Sequence, residues 1–291
     1  MSTAWLVTGA RGQLGHDLLA ALEGRGESVT AVGRAEMDLT DERSVRGVVR
    51  SWLDDAGADR AVVVNAAAYT AVDAAETDED TALVVNGRAP GWLAEELADR
   101  GRLVHVSTDY VFGGDATQPY PVDAPVAPRS AYGRTKAAGE RAVAEVGGDA
   151  SVVRTAWVYG RHGGNFVRTM TRLECQNETI SVVDDQIGSP TWSADLADGL
   201  VALGLVETAP PVLHYTNTGQ VSWRGLAQAV FEELGADPAR VLPTTSADFV
   251  RPAPRPAYSV LDGSGWDQTG LPVRQDWRTA LATAMQEGFR P

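Results

Sequence analysis

Near the N-terminus, a buried strand runs directly into a glycine turn and then a helix. Ala4-Trp-Leu-Val-Thr8 reads as the strand, Gly9-Ala-Arg-Gly12-Gln-Leu-Gly15 as the turn, and His16 to Leu22 as an amphipathic helix. In this order the three pieces form a dinucleotide-binding fingerprint, in its G-x-x-G-x-x-G variant. Gly9 permits the tight turn, Gly12 lets a pyrophosphate approach the backbone, and Gly15 allows helix to pack on strand. Arg11, Gln13 and Leu14 belong to the same expected contact. The N–H groups at the helix start then face the negative phosphates. A bare βα turn is the plainer reading, but the correct flanks on both sides favour a cofactor.

A second strand, Ser28 to Val32, should be followed by an Asp or Glu that binds the ribose hydroxyls of NAD. Gly33 and Arg34 stand there instead. They offer room and charge for a 2′-phosphate, which favours NADPH, with NADH as the alternative. A solvated surface arginine is the plainer reading of Arg34. Asp38 and Leu39 are placed to face the adenine. A third strand, Arg60 to Asn65, ends in Ala66, Ala67 and Ala68, small enough for a cofactor to lie against their backbone. The acids from Asp73 to Asp80 read as a solvated helix face, and a helix from about Thr81 to Arg100 follows.

The strand Arg102 to Ser107 places the Thr108 hydroxyl at its carboxyl edge, where open parallel sheets bind ligands. An irregular stretch, Gly113 to Arg129, then leads into a helix over Ala131 to Val146; a loop of that length is commonly functional. Tyr132 and Lys136, four apart, share one face of that helix. A nearby cation favours the phenolate, so the tyrosine is expected to have a lowered pKa suited to proton donation. A hydroxyl, a phenol and an ammonium together polarise a carbonyl and protonate it. After the strand Ser151 to Thr155 comes Trp157, either a platform for a substrate ring or a core aromatic.

Strands and helices alternate at βαβ spacing, which implies an α/β fold with a parallel sheet covered on both faces. Beyond Gly163 the pattern loosens into shorter elements and a proline-rich stretch, Pro243 to Tyr258, with Arg251 and Arg255. The expected division is residues 1–160 for the cofactor and 161–291 mainly for substrate. The two are expected to be partly intermixed, with room for later segments to return to the first domain. Acidic residues number 39 against 25 basic ones, a formal net charge of −14, which argues against nucleic acid or an anionic membrane as partner. The single cysteine, Cys175, excludes an internal disulfide and a cysteine metal cluster and reads as a passive helix residue. With no long apolar run and no signal peptide pattern, a cytoplasmic setting is expected.

These stretches resemble a known family. Gly9-x-x-Gly12-Gln-Leu-Gly15, Asn65 to Asp73, Ser107-Thr-Asp-Tyr-Val-Phe112, Tyr132-Gly-x-x-Lys136, Arg154 to Val158, Asp185 to Thr191 and Arg251-Pro-Ala-Pro-Arg255 are similar to the dTDP-4-dehydrorhamnose reductases. Those are extended short-chain dehydrogenases/reductases. The resemblance implies a Rossmann-type doubly wound parallel sheet with a smaller, partly intermixed C-terminal substrate domain. It implies hydride delivery from NADPH, or NADH, to C4 of a 4-keto-6-deoxysugar nucleotide. Tyr132 would donate the proton, Lys136 would hold the ribose, and Thr108 would hydrogen-bond the keto oxygen. Asp109, Trp157, Asn165 and Thr191 would contact the sugar or its diphosphate, and Arg255 would lie near the nucleotide.

Related dehydratases carry Thr-Asp-Glu where Tyr110 follows Asp109 here, so elimination of water is disfavoured. Some members dimerise through a magnesium ion bound by acids. Trp192-Ser-Ala194 lacks the expected Glu, although Asp17 is present, so no structural metal is expected. Two alternatives stay open: a 4-ketoreductase for another dTDP-deoxysugar, and a non-catalytic NADP-binding regulatory subunit. The implied assembly is a monomer or a homodimer.

Overall fold

The layers follow from the alternation along β1 (Thr3–Thr8). Successive side chains of a strand point to opposite faces. Trp5 and Val7 are buried on one side with Leu14, Leu18 and Leu22, whereas Ala4 and Leu6 are buried on the other with Val45, Val49 and Trp52. A strand that is apolar at both parities needs a helix on each face. α1 (Gln13–Gly24) and α2 (Glu42–Asp55) supply them. The computed structural model describes residues 2–288.

The other strands of the central sheet are β2 (Ser28–Val32), β3 (Arg60–Asn65), β4 (Arg102–Thr108), β5 (Ala150–Thr155) and β6 (Val212–His214). Their order is β6-β5-β4-β3-β1-β2, and every pairing is parallel. From β1 the chain moves to one edge, and from β3 onward it moves to the other. The crevice above the carboxyl ends of β1 and β3 is therefore the topological switch point, where such sheets bind ligands.

Between β3 and β4 the helical run starts at Glu79, two residues before the expected Thr81, and it is not uniform. Glu79–Leu83 passes through a π-helical turn, Val84–Arg88, into α3 (Ala89–Leu97). The widened turn carries Asn86, whose buried amide bonds both backbone groups of Tyr69 and the Thr135 hydroxyl. α4 (Ala131–Val146) follows, capped by Ser130, whose hydroxyl accepts from the Gly133 N–H. The long stretch before it is a structural strap. The Tyr120 hydroxyl accepts N–H groups from Gly114, Asp115 and Ala116, and its ring stacks on Phe112 at 4.5 Å.

A third core lies under the C-terminal half. It joins Val167 and Met170 of α5 (Phe166–Gln176) to Leu226, Val230 and Phe231 of α7 (Trp223–Glu233) and to Leu281 and Met285 of α8 (Trp277–Gln286). Between these, α6 (Ser193–Leu205) and β6 return to the central sheet. There Gly204 lies so close to Trp5 that a Cβ would fall 2.4 Å from the indole. Among the described residues no helix is long and apolar enough to cross a membrane. Cys175 is exposed on α5.

Candidate functional site

A cleft of about 950 Å³ opens at the carboxyl ends of β1, β3, β4 and β5. Gly9, Arg11, Gly12, Gln13, Leu14 and Gly15 line one end with Arg34, Asp38, Leu39 and Ala66 to Ala68; Thr108, Asp109, Tyr132, Lys136 and Trp157 line the rest. Gly9 has φ +65, and a Cβ there would sit 2.8 Å from the Ala67 backbone, while one on Gly15 would sit 2.2 Å from the Gly9 carbonyl oxygen. Backbone alone fits at both positions, which leaves a cradle for a flat, charged group. The Thr155 hydroxyl, buried at the cleft wall, finds no hydrogen-bond partner among the described residues. Cradle and unused hydroxyl both fit a dinucleotide.

At the far end of the turn, Arg34 is exposed and lines the cleft. Arg11 pairs with Glu36, which also accepts the Gly33 N–H at 2.8 Å. That backbone bond is the main reason the Glu36 carboxyl is held below its usual range. Asp38 accepts from the Thr40 N–H and hydroxyl, which lower its pKa, and the Arg34 charge adds to this.

The reactive groups meet where β4 ends. Thr108 caps a short 3-10 turn, accepting the Tyr110 N–H at 3.2 Å and donating to Asp109 Oδ1 at 2.9 Å. Burial pushes the Asp109 carboxyl up to about 6, against the Thr108 hydrogen bond that helps hold it down. Tyr132 lies in the first turn of α4, facing Tyr110 edge-on at 5.6 Å. The expected lowering of its pKa is not found. Burial pushes the phenol up to about 12, the Asp109 charge adds to it, and the Thr108 hydroxyl opposes it. Helical spacing does put Lys136 on the same face, but its ammonium is turned to the Val106 carbonyl, 2.7 Å away. Burial also lowers Lys136 itself to about 8, against the attraction of Glu140.

Below them, Glu140 takes two hydrogen bonds from Arg154, at 2.9 and 2.8 Å, and one from the Ser107 hydroxyl at 2.6 Å. Both charges are more than nine-tenths buried. Such a pair persists because its lone pairs and protons are satisfied. It ties α4, one turn beyond Lys136, to β4 and β5.

The remaining substrate candidates separate. Asp109 and Trp157 face the cleft, but one face of the Trp157 ring is covered by Trp223, stacked at 3.5 Å and 6°. Trp157 also holds φ +47, the one non-glycine residue with positive φ among those described. Asn165 caps α5 and donates to Gln13 Oε1 at 2.8 Å and the Gly160 carbonyl at 2.7 Å, so it ties the glycine turn to the C-terminal half. Thr191 is fully buried behind Trp157, and its N–H donates to the Trp157 carbonyl at 3.2 Å. Arg255 pairs with Asp73 at 2.9 Å.

Asp73, expected on a solvated face, also binds Arg251 at 2.6 Å and accepts the Ala253 N–H. This corrects the reading of that acidic stretch: Glu76 accepts the Ala131 N–H and Glu79 pairs with Arg134. Tyr110, Thr155 and Trp223 also line the cleft and were missed. Tyr110 was marked by its place beside Thr108 and Asp109; nothing local marked Trp223. Asp17 hydrogen-bonds the Ser193 hydroxyl, and no cluster of metal-ligating side chains occurs among the described residues.

The family model for the RmlD substrate binding domain matches residues 3–289. A dTDP-4-dehydrorhamnose reductase of Streptomyces griseus is 53% identical over 283 residues, 95% of this chain and 91% of that protein. A dTDP-4-keto-6-deoxy-D-glucose reductase of Streptomyces niveus is 48% identical over 98% of this chain and 97% of that protein. A crystal structure of dTDP-4-dehydrorhamnose reductase from Bacillus anthracis in complex with NADP superimposes with a TM-score of 0.90 at 34% identity, covering 99% and 100% of the two chains. Likeness of this extent, carried by both sequence and backbone, means that the chain belongs to the dTDP-4-dehydrorhamnose reductase family.

Proposed function

We propose that the protein is an NADPH-dependent reductase that converts the C4 keto group of dTDP-4-dehydro-L-rhamnose to the hydroxyl of dTDP-L-rhamnose. The observation that carries this reading is the meeting of Thr108, Tyr132 and Lys136 in the same cleft as the glycine cradle. When bound, NADPH supplies the hydride. Tyr132 gives its proton to the C4 oxygen, and Thr108 turns its hydroxyl proton from Asp109 to that oxygen as it gains charge. Since burial keeps the phenol protonated, the donor is loaded throughout the neutral range. Lys136 holds the ribose hydroxyls, Arg34 faces the 2′-phosphate, and Asp38 and Leu39 bound the adenine.

Asp109 orients Thr108, and the free edge of Trp157 borders the sugar. Asn165 and Thr191 act from behind, by fixing Gln13 and Trp157. Arg255 serves the nucleotide once it leaves Asp73. The partners are then the dTDP-sugar and the cofactor, with no nucleic acid and no membrane, in a cytoplasmic monomer or homodimer.

A second reading, a 4-ketoreductase for another dTDP-deoxysugar, is favoured by the 48% identical relative named for dTDP-4-keto-6-deoxy-D-glucose. The experiment is a panel of 4-keto sugar nucleotides assayed with NADPH and NADH, followed by product stereochemistry. Fastest turnover of dTDP-4-dehydro-L-rhamnose supports the first reading, and preference for another 4-keto sugar supports the second. No oxidation of either cofactor with any of them would leave a non-catalytic binding protein.

A further inference from the structure

Beneath the cleft, a buried chain of polar groups crosses three strands. It runs from Thr8 on β1 through Asn65 on β3 and His105 on β4 to Lys136 on α4. Thr8 donates to Asn65 Oδ1 at 2.6 Å, and its oxygen accepts the Ala67 N–H at 3.3 Å. A hydroxyl has one proton, and this one is committed to Asn65. The Asn65 amide nitrogen therefore faces His105 Nδ1, 3.0 Å away, as donor. A neutral imidazole that accepts at Nδ1 carries its proton on Nε2. Nε2 in turn faces Lys136 Nζ at 3.5 Å.

Complete burial, with the Lys136 charge beside it, holds this imidazole neutral far below its ordinary range. An ammonium has three donors and no acceptor, so an N–H aimed at it repels; an amine has a lone pair to receive that N–H. We propose that His105 is a positioning residue for Lys136: locked by Asn65 as the Nε2–H tautomer, it offers its N–H to the amine form of Lys136 and eases release of the lysine proton. Glu140 on α4 favours the ammonium instead, but Arg154 of β5 and Ser107 of β4 already occupy that carboxylate. Asn65 and Thr8 are neutral, and so is the Tyr132 phenol on the same face of α4, which burial keeps protonated. The inference rests on Lys136 belonging to the reductase site proposed above.

The first test needs no substrate. In protein labelled with 15N-histidine, the resonances lost in His105→Asn identify His105. They are expected to show a protonated Nε2 and a bare Nδ1, unchanged between about pH 6 and 9. A protonated Nδ1, or a ring that titrates near the ordinary histidine value, would overturn the proposal. The second test follows NADPH oxidation against pH. His105→Asn keeps an acceptor for Asn65, but its shorter amide takes the N–H out of reach of Lys136 and leaves room for water. It should move the basic limb up by about one pH unit with little change in the KM for NADPH. His105→Gln, whose amide N–H reaches as far as Nε2, should move it back. Loss of rate in both variants with the limb unmoved would assign His105 a packing role only. Because the resonance test is made on the ligand-free protein, its failure is separate from failure of the reductase reading.

Discussion

Lys136 donates to the Val106 carbonyl across 2.7 Å, so this buried cationic side chain of α4 is anchored to the strand that ends in Thr108. Burial dominates the two groups of the site that titrate above neutrality: it lowers Lys136 to about 8 and raises Tyr132 to about 12. The lysine therefore loses its proton first as pH rises. NADPH oxidation is expected to decline as pH passes through about 8, while the phenol remains a proton donor. A pH–rate profile measures this, and a limb at about 10 or above would place Lys136 outside the observed titration.

Removing the phenolic proton isolates its role. Tyr132→Phe should lower kcat by about 10²-fold or more, because the acid is lost, while NADPH binding measured by fluorescence titration stays within about twofold. Near-parent turnover would remove Tyr132 as the donor.

Asp109 carries an unfavourable buried charge. Its folded pKa, about 6, lies above the ordinary 3.8, so the cost of the charge is fully present above about pH 6 and disappears as pH falls towards 4. Asp109→Asn should accordingly stabilise the fold by about 3 kcal/mol near neutrality, and progressively less in acid. Urea unfolding at several pH values reads the difference; a gain independent of pH would mean the carboxylate is not its source.

Arg34 is exposed at the cleft end nearest the second strand, with Gly33 beside it. Arg34→Ala should raise the Kd for NADPH about tenfold and leave NADH nearly unchanged, since only the former has a 2′-phosphate. An unaltered preference between the two cofactors would assign the phosphate to another residue.

Asp73 holds Arg251, Arg255 and the Ala253 N–H at once. Asp73→Ala should speed amide hydrogen exchange over residues 249–256 at least tenfold, with little change in the thermal midpoint, because the ion pairs are partly exposed. Unchanged exchange in that segment would show that its proline residues, rather than the clamp, hold it.

What was legible in the sequence was local. The glycine turn and the strands ending at Thr8, Asn65 and Thr108 are each set by a few adjacent residues, and so is the Tyr132–Lys136 spacing. Long-range partners were not legible. Asp73 meets Arg251 across 178 positions, so its acid read only as a solvated face. The phenol's pKa failed for a related reason: spacing fixes which residues share a helical face, whereas burial and the Val106 carbonyl decide where the ammonium points. The covered face of Trp157 depended on Trp223, and its positive φ on contacts no sequence pattern announces.

The return of α6 and β6 to the central sheet means that the peptide passes between the two halves more than once. A chain severed after residue 160 would keep the glycine turn but lose the edge strand beside β5 and the helix seated on Trp5. The indole would then keep its packing on α1 but lose the cover that Gly204 and its helix provide.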